Sequence, residues 1–339
     1  MSPDRPWTLN VEHLRTSFRT REGELEAVRD VSFSIAPGET LALVGESGSG
    51  KSVTAASIMR ILPKQGRIVS GSVMLNGRDL LGLTDLQMED VRGKEVSQIF
   101  QDPMTSLNPV HRIGAQIAET LVRHEGSDRR EAQRRVHELL RLVRISEPDR
   151  VAMEYPHRLS GGMRQRVMIA IAIARNPSLL LADEPTTALD ATIQAQILNL
   201  LDDLRRQRGM GMLLITHDLG LVAEYADRIA VMYAGQIVEE GTTAQFFEGP
   251  LHPYSRGLLA ARPELEGGTH FRKGPLIEMR GNLPSMVGPP ACCPFAPRCP
   301  IAVSDCAVTA QVLRQVSPEH TVACMRVEAA SLSHEFLTS

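Results

Sequence analysis

The chain has 339 residues, enough for one large domain and a smaller one. Its apolar fraction of 42% can furnish a core, and its formal net charge of −3 argues against a general nucleic-acid binder. No apolar run is long enough to cross a bilayer, and Met1 to Asn10 carry acid and proline without an apolar core, so they do not read as a secretory signal.

Leu9 to Phe18 and Ala27 to Ile35 read as strands, with a hairpin turn at Arg21-Glu22-Gly23-Glu24 between them. Val31, Phe33 and Ile35 alternate with Ser32, Ser34 and Ala36, so one face is buried. Next comes Leu41 to Val44, a short buried strand, and then Gly45-Glu46-Ser47-Gly48-Ser49-Gly50-Lys51-Ser52. This octet fits G-x-x-x-x-G-K-[ST], the phosphate-cradling loop. Val53 to Leu62 follows without Gly or Pro and reads as a helix, so strand, loop and helix stand in the order the motif requires. Glycines let backbone N–H groups turn onto phosphate oxygens, and the helix N-terminus adds partial positive charge. Lys51 is expected to reach the β- and γ-phosphates of ATP, and Ser52 to ligate Mg²⁺. Upstream, Phe18 is either a core aromatic or a platform for adenine.

Gly71 to Leu75 and Val96 to Phe100 look like further strands, and Gln101 follows the second at once. A polar amide there sits where ligands bind in an α/β sheet. From Pro103 to about Arg158 the pattern is helical, with Val136, Leu139, Leu140 and Val143 on one face. The basic run Arg129, Arg130, Arg134, Arg135, Arg141, Arg144 reads as a solvated face rather than a nucleic-acid surface. Ser160 is an N-cap for a helix through about Ala174, and Gly161 and Gly162 in its first turn leave room for a ligand or another backbone. This is a second anion site, and two such sites in one chain suggest two chains meeting around a shared nucleotide.

Leu179 to Ala182 form an apolar strand ending in Asp183 and Glu184. Asp183 can hold the Mg²⁺ water shell, and Glu184 can activate the attacking water. An amphipathic helix follows Thr187-Ala188-Leu189-Asp190. Gly211 to Thr216 is a strand ending at His217, which can contact a γ-phosphate. Arg228 to Tyr233 and Gln236 to Glu240 form a hairpin across Ala234-Gly235. All five cysteines, Cys292, Cys293, Cys299, Cys306 and Cys324, lie near the C-terminus. In a reducing cytosol, clustered cysteines read as metal or cluster ligands before disulfides. Their spacing lacks the C-x₂-C pairs of common zinc sites and the C-x₂-C-x₂-C run of bacterial ferredoxins, so it names no metal.

The order of these motifs resembles the ATP-binding subunit of ABC transporters over about residues 8 to 255. Gly45 to Ser52 matches its Walker A, Gln101 the Q-loop, Leu159 to Met163 the signature, Leu179 to Glu184 Walker B, Ala188-Leu189-Asp190 the D-loop and His217 the switch histidine. Phe18 falls at the adenine-stacking position. Met163 departs from the family's usual Gln, at a position past the serine and glycines that meet phosphate. Gly249 to Leu259, with His252-Pro253-Tyr254, looks like the corresponding segment of oligopeptide and dipeptide importers. The cysteines resemble that subfamily's C-terminal set, which implies a [4Fe–4S] cluster on Cys293, Cys299, Cys306 and Cys324, with zinc as the alternative and Cys292 left over.

The resemblance implies an α/β P-loop ATPase with a mixed sheet core, an antiparallel β subdomain, a helical subdomain over about 103–160 and a loop-rich C-terminal cysteine region. The division expected is 1–255 for the ATPase and 256–339 for the extension, with residues from Arg262 to Pro290 an extended connection rich in Gly and Pro. It implies Mg²⁺ contacts from Ser52, Gln101 and Asp183, and catalysis by Glu184, His217 and Gln101. Ser160, Gly161 and Gly162 would complete the site of a second ATPase subunit, identical or, since related importers often pair two different ATPases, more readily a different one. Two permease subunits and, indirectly, an extracytoplasmic solute-binding protein would be partners, at the cytoplasmic face of the inner membrane, with peptides as cargo. The other class in play is a soluble ABC ATPase acting on ribosomes or nucleic acid. Such chains carry two cassettes or a long coiled coil, and this one has a single P-loop and no sustained heptads.

Overall fold

The computed structural model describes residues 7–102, 106–125, 129–187, 189–261, 281–284, 286–288 and 292–327. Pro103, Ala188, most of the connection from Arg262 to Pro290 and the first six residues lie outside them.

In chain order the elements are β1 (Leu9–Thr20), β2 (Gly23–Ile35), β3 (Thr40–Val44), α1 (Lys51–Ile58), β4 (Gly66–Leu75), β5 (Arg78–Asp79), α2 (Asp85–Val91) and β6 (Val96–Ile99). Then come α3 (Ile113–Glu125), α4 (Arg129–Leu142), α5 (Pro148–Met153), α6 (Gly161–Ala172), β7 (Leu179–Asp183), α7 (Ala191–Arg208) and β8 (Gly211–Ile215). The last are α8 (Leu219–Tyr225), β9 (Arg228–Tyr233), β10 (Gln236–Thr242), α9 (Thr243–Glu248), α10 (Pro253–Ala260), β11 (Arg314–Ser317) and β12 (His320–Val322). The expected strands and helices are present, with shifted ends. The first hairpin is longer than expected and turns on Arg21 and Glu22, while α1 is shorter and stops before Arg60, whose φ of 52° breaks it.

The described residues fall into two compact units. The first takes Met1–Asn10, Ser34–Thr40 and Val73–Ile215. Its sheet is the parallel run β6-β7-β8, with Ile99 opposite Ala182 and Asp183 opposite Ile215. β7 and β8 are largely apolar and buried at every position, as the strands of a covered parallel sheet are, while β6 carries Ser97 and Gln98 between Val96 and Ile99. Helices α3 to α6 pack on one another. Val136, Leu139, Leu140 and Val143 are all buried, so the helical periodicity marks the inward face correctly. Two arginines of α4 pair with acids of the same helix, Arg135 with Glu138 at 3.0 Å and Arg134 with Glu131 at 3.6 Å, as on a solvated face.

The second unit takes Val11–Phe33, Leu41–Ser72 and Thr216–Ser339. Here β3 runs parallel to β9, with Val44 opposite Val231, and β9 and β10 form the expected antiparallel hairpin. Its turn uses Ala234 at φ 46° and Gly235 at φ 84°, the left-handed pair that a tight hairpin demands. A feature absent from the sequence reading is that the tail extends this sheet. β12 pairs antiparallel with β10, Glu239 opposite Val322, and β11 pairs with β12. Ala42, Val44, Val231, Tyr233, Tyr254 and Phe295 share one buried cluster, so tail residues pack in the same core as the strand that precedes the glycine-rich loop.

Candidate nucleotide site

The phosphate loop is held in shape by contacts that only glycine permits. Gly45 has φ 150°, and a Cβ there would stand 2.1 Å from the carbonyl oxygen of Met232. Gly50 has φ 108°, and its Cβ would stand 2.4 Å from the carbonyl oxygen of Ala27. Both neighbours are backbone and cannot yield cheaply. Gly50 is the N-cap of α1 and offers no side chain to the first amides of that helix, the arrangement that suits an incoming anion. Lys51 is buried, and its Nζ donates to the carbonyls of Gly45 and Glu46 at 2.8 and 2.9 Å. Ser52 is exposed beside it. The ring of Phe18 is half-buried and packs against Gly66, where a Cβ would come within 2.6 Å of it.

Glu46 is tied down from outside the loop. Its N–H donates to the hydroxyl of Tyr254 at 2.9 Å, and its carboxylate accepts both Nη atoms of Arg298 at 2.9 Å. Tyr254 belongs to the His-Pro-Tyr segment and Arg298 to the segment between Cys293 and Cys299. The sequence reading assigns neither a place here. A salt bridge between such distant positions leaves no mark on local periodicity.

In the same unit His217 follows β8 and is exposed. Asp218 after it caps α8, its carboxylate accepting the N–H of Gly220 at 2.7 Å. Thr216 donates its N–H to the carbonyl of Leu43, so the start of this loop is registered on β3.

In the first unit β7 delivers the two acids. Asp183 closes the strand and is buried. Glu184 stands next, at φ 45°, a left-handed conformation uncommon for a side-chain-bearing residue. Its N–H donates to the carbonyl of Ile215, which fixes the turn. Its Oε2 accepts from Gln101 Nε2 and from Thr187 Oγ1, each at 2.8 Å. The structure thus brings Gln101 and Glu184 together, and adds Thr187, which the sequence reading passed over. The strained backbone over-determined by neighbours is what functional acids often show.

Ser160 caps α6, its side chain accepting the N–H of Met163 at 3.3 Å. A Cβ on Gly162 would lie 2.9 Å from the Ile193 side chain, so α7 supplies a packing reason for that glycine alongside any ligand. A Cβ on Gly161 meets Leu189 at an ordinary 3.4 Å. Asp190 caps α7 by accepting the N–H of Ile193 at 3.0 Å.

The four expected cluster cysteines, Cys293, Cys299, Cys306 and Cys324, line one small cavity with Phe295, and Cys292 does not. All five thiols are free of disulfides. Burial pushes the Cys299 thiol up to about 11 and raises Cys293 and Cys324, with neighbouring thiols adding to each shift. Among the described residues no group of three or more His, Cys, Asp or Glu side chains stands where it could hold a metal ion.

Residues 28–187 match the ABC transporter family, and residues 238–306 match the oligopeptide/dipeptide transporter C-terminal region. The oligopeptide transport ATP-binding protein AppD of Bacillus subtilis is 49% identical, covering 94% of this chain and 97% of its own. The dipeptide transport ATP-binding protein DppD of the same organism is 46% identical, covering 96% and 97%. Among solved structures, the post-hydrolysis dimer of an ATP-binding cassette bound to ADP and Pi superposes with a TM-score of 0.63 at 28% identity, covering 69% of this chain and 98% of that one. That likeness bears out the expected α/β P-loop ATPase fold with its mixed sheet and helical subdomain. The chain belongs to the ATPase subunits of ABC transporters, in the oligopeptide/dipeptide transporter family.

Proposed function

We propose that this chain is the ATP-hydrolysing motor of an importer for peptides. The observation that carries the reading is the preformed phosphate loop, with Lys51 folded inside a turn that Gly45 and Gly50 alone can make. Gly45 to Ser52 bind the phosphates of ATP, with Phe18 against the adenine. Ser52, Gln101 and Asp183 would hold Mg²⁺. Glu184 activates water, positioned by Gln101 and Thr187, and His217 meets the γ-phosphate. Ser160, Gly161, Gly162 and Asp190 face the nucleotide of a second ATPase subunit, identical or different. Closure of that pair on ATP then drives two separate permease subunits. Among the described residues no helix is long and apolar enough to cross a membrane, which suits a peripheral subunit at the cytoplasmic face. The cargo class follows the relatives, which transport oligopeptides and dipeptides, with an extracytoplasmic binding protein upstream. The division into an ATPase over 1–255 and an extension over 256–339 belongs to the same reading.

The resemblance of the tail to the family's C-terminal cysteine set is what favours a [4Fe–4S] cluster over zinc. The four thiols line one small cavity, and among the described residues no group of three or more ligand side chains stands where it could hold a metal ion. When bound, the cluster supplies a covalent staple across the tail. Cys293, Cys299, Cys306 and Cys324 would hold it as thiolates.

Affinity purification of the full chain from detergent-solubilised membranes tests the motor reading. Two hydrophobic subunits should accompany it, with ATPase activity that responds to them. Recovery with ribosomes and no membrane subunits would sink it.

A further inference from the structure

Glu46 is a carboxylate placed on the loop that must receive a polyphosphate. Left alone it would repel the ligand. Three of its groups are instead held. The carbonyl accepts Lys51 Nζ, the N–H donates to Tyr254, and the carboxylate receives a two-pronged fork from Arg298. Arg298 is nearly buried, at 6% exposure against 26% for Glu46. Its guanidinium lies 5.7 Å from the ring centroid of Tyr233 and donates to that hydroxyl at 3.3 Å. A short 3₁₀ turn, Ala296–Arg298, mounts it, and the N–H of Cys293 donates to the Cys306 carbonyl to pin the start of the segment. A planar fork buried against aromatic rings is pre-organised and cannot wander as a surface lysine would.

We propose that Arg298 is a positioning and charge-compensating residue of the ATP site: it neutralises Glu46 and holds the first turn of the phosphate loop, making the cysteine segment part of the nucleotide-binding apparatus. The inference rests on the assignment of Gly45 to Ser52 to ATP. A purely structural staple between tail and loop makes a different prediction, because it would not care about ligand charge or about the charge on residue 46.

The test is competition of ATP and ADP against a fluorescent ATP analogue on the purified full-length chain with Mg²⁺. Arg298→Met is expected to weaken ATP on the order of tenfold, and ADP less, since the uncompensated carboxylate acts on phosphate charge. Glu46→Gln in the Arg298→Met background is expected to restore ATP affinity to within about threefold of wild type. Wild-type ATP affinity in Arg298→Met, equal losses for ATP and ADP, or no rescue by Glu46→Gln would each overturn the proposal. If Arg298→Met does not fold, Arg298→Lys decides. It keeps the charge without the fork, so any loss should fall equally on ATP and ADP, and a loss larger for ATP than for ADP rejects charge compensation. Lys51→Ala separates the two layers. If it leaves ATP binding intact, the loop assignment itself fails; if it abolishes binding while Arg298→Met does not, only the role of Arg298 falls.

Discussion

The side-chain amide of Gln101 donates to the carboxylate of Glu184 at 2.8 Å, and the same oxygen accepts Thr187 Oγ1. Two donors on one oxygen hold the acid in a single rotamer. Glu184→Gln should therefore bind ATP normally and lose turnover by roughly 10²–10⁴-fold, as removal of a general base does. Phosphate release by the assembled transporter measures it. Turnover close to wild type would take Glu184 out of the catalytic role.

Gln101 and Thr187 both donate to Glu184, and on the proposed reading Thr187 acts only by positioning it. Thr187→Val removes one donor and keeps the shape. It should lower kcat about tenfold with little change in the KM for ATP. An equal rise in KM would instead place Thr187 in binding.

Tyr254 is fully buried, and its hydroxyl is the acceptor for the Glu46 N–H. Burial raises its pKa, so the phenol stays neutral at any working pH. Tyr254→Phe leaves that amide short of its partner and should cost about 1–3 kcal/mol in stability. Chemical denaturation of the full chain reads this directly. An unchanged midpoint would show that water replaces the hydroxyl without loss.

Acid should destabilise the second unit through one buried network. The Glu239 carboxylate accepts the N–H groups of Leu251 and His252 at 2.7 and 2.8 Å and the Nε2 of His320 at 2.8 Å. Burial pushes its pKa up, but the hydrogen bonds outweigh that and leave it below the usual carboxylate range. Such a group contributes stability above its unfolded pKa and loses it as pH falls through the folded value. His252 moves from 6.5 to about 4 by burial, against the pull of Glu239, and is neutral in the folded chain. Unfolding lets it take up a proton between those values, so its effect has the same sign. Stability should fall as pH drops from 6.5 to about 4 through His252, and further below 4.5 through Glu239. Glu239→Gln should be less stable at pH 7 and show a flatter decline below pH 4.5. Parallel curves for the two proteins would remove Glu239 from the acid response.

For the tail, anaerobically purified protein should carry iron and acid-labile sulfide. Cys306→Ser should lose both, because the buried Cys306 lines the cavity. Cys292→Ser should keep them. Stoichiometric zinc without iron would reject the iron–sulfur reading in favour of the zinc one.

The local chemistry was legible because it is written in short windows. Gly45 to Ser52 between an apolar strand and a helix, Asp183 and Glu184 at the end of Leu179 to Ala182, and Ser160 before α6 each depend on neighbours in the chain. Backbone conformation and capping act over a few residues, and periodicity over ten or so. Hence the strands, the helix faces and the Ala234-Gly235 turn could be placed before any coordinates.

What only the tertiary structure decided are the pairings across long stretches of chain. Glu46 is a variable position of its motif, and nothing near it announces Arg298 or Tyr254. Gly162 reads as a ligand glycine in the sequence, and only the fold adds Ile193 packed against it. The tail reads as loop because β11 and β12 are short and polar-edged, and they become strands only by adding to β10. Hydrogen bonds of a sheet edge and the desolvation of an ion pair exist only once distant segments meet. The sequence by itself determined which chemistry this protein carries; folding decided which residues hold that chemistry still.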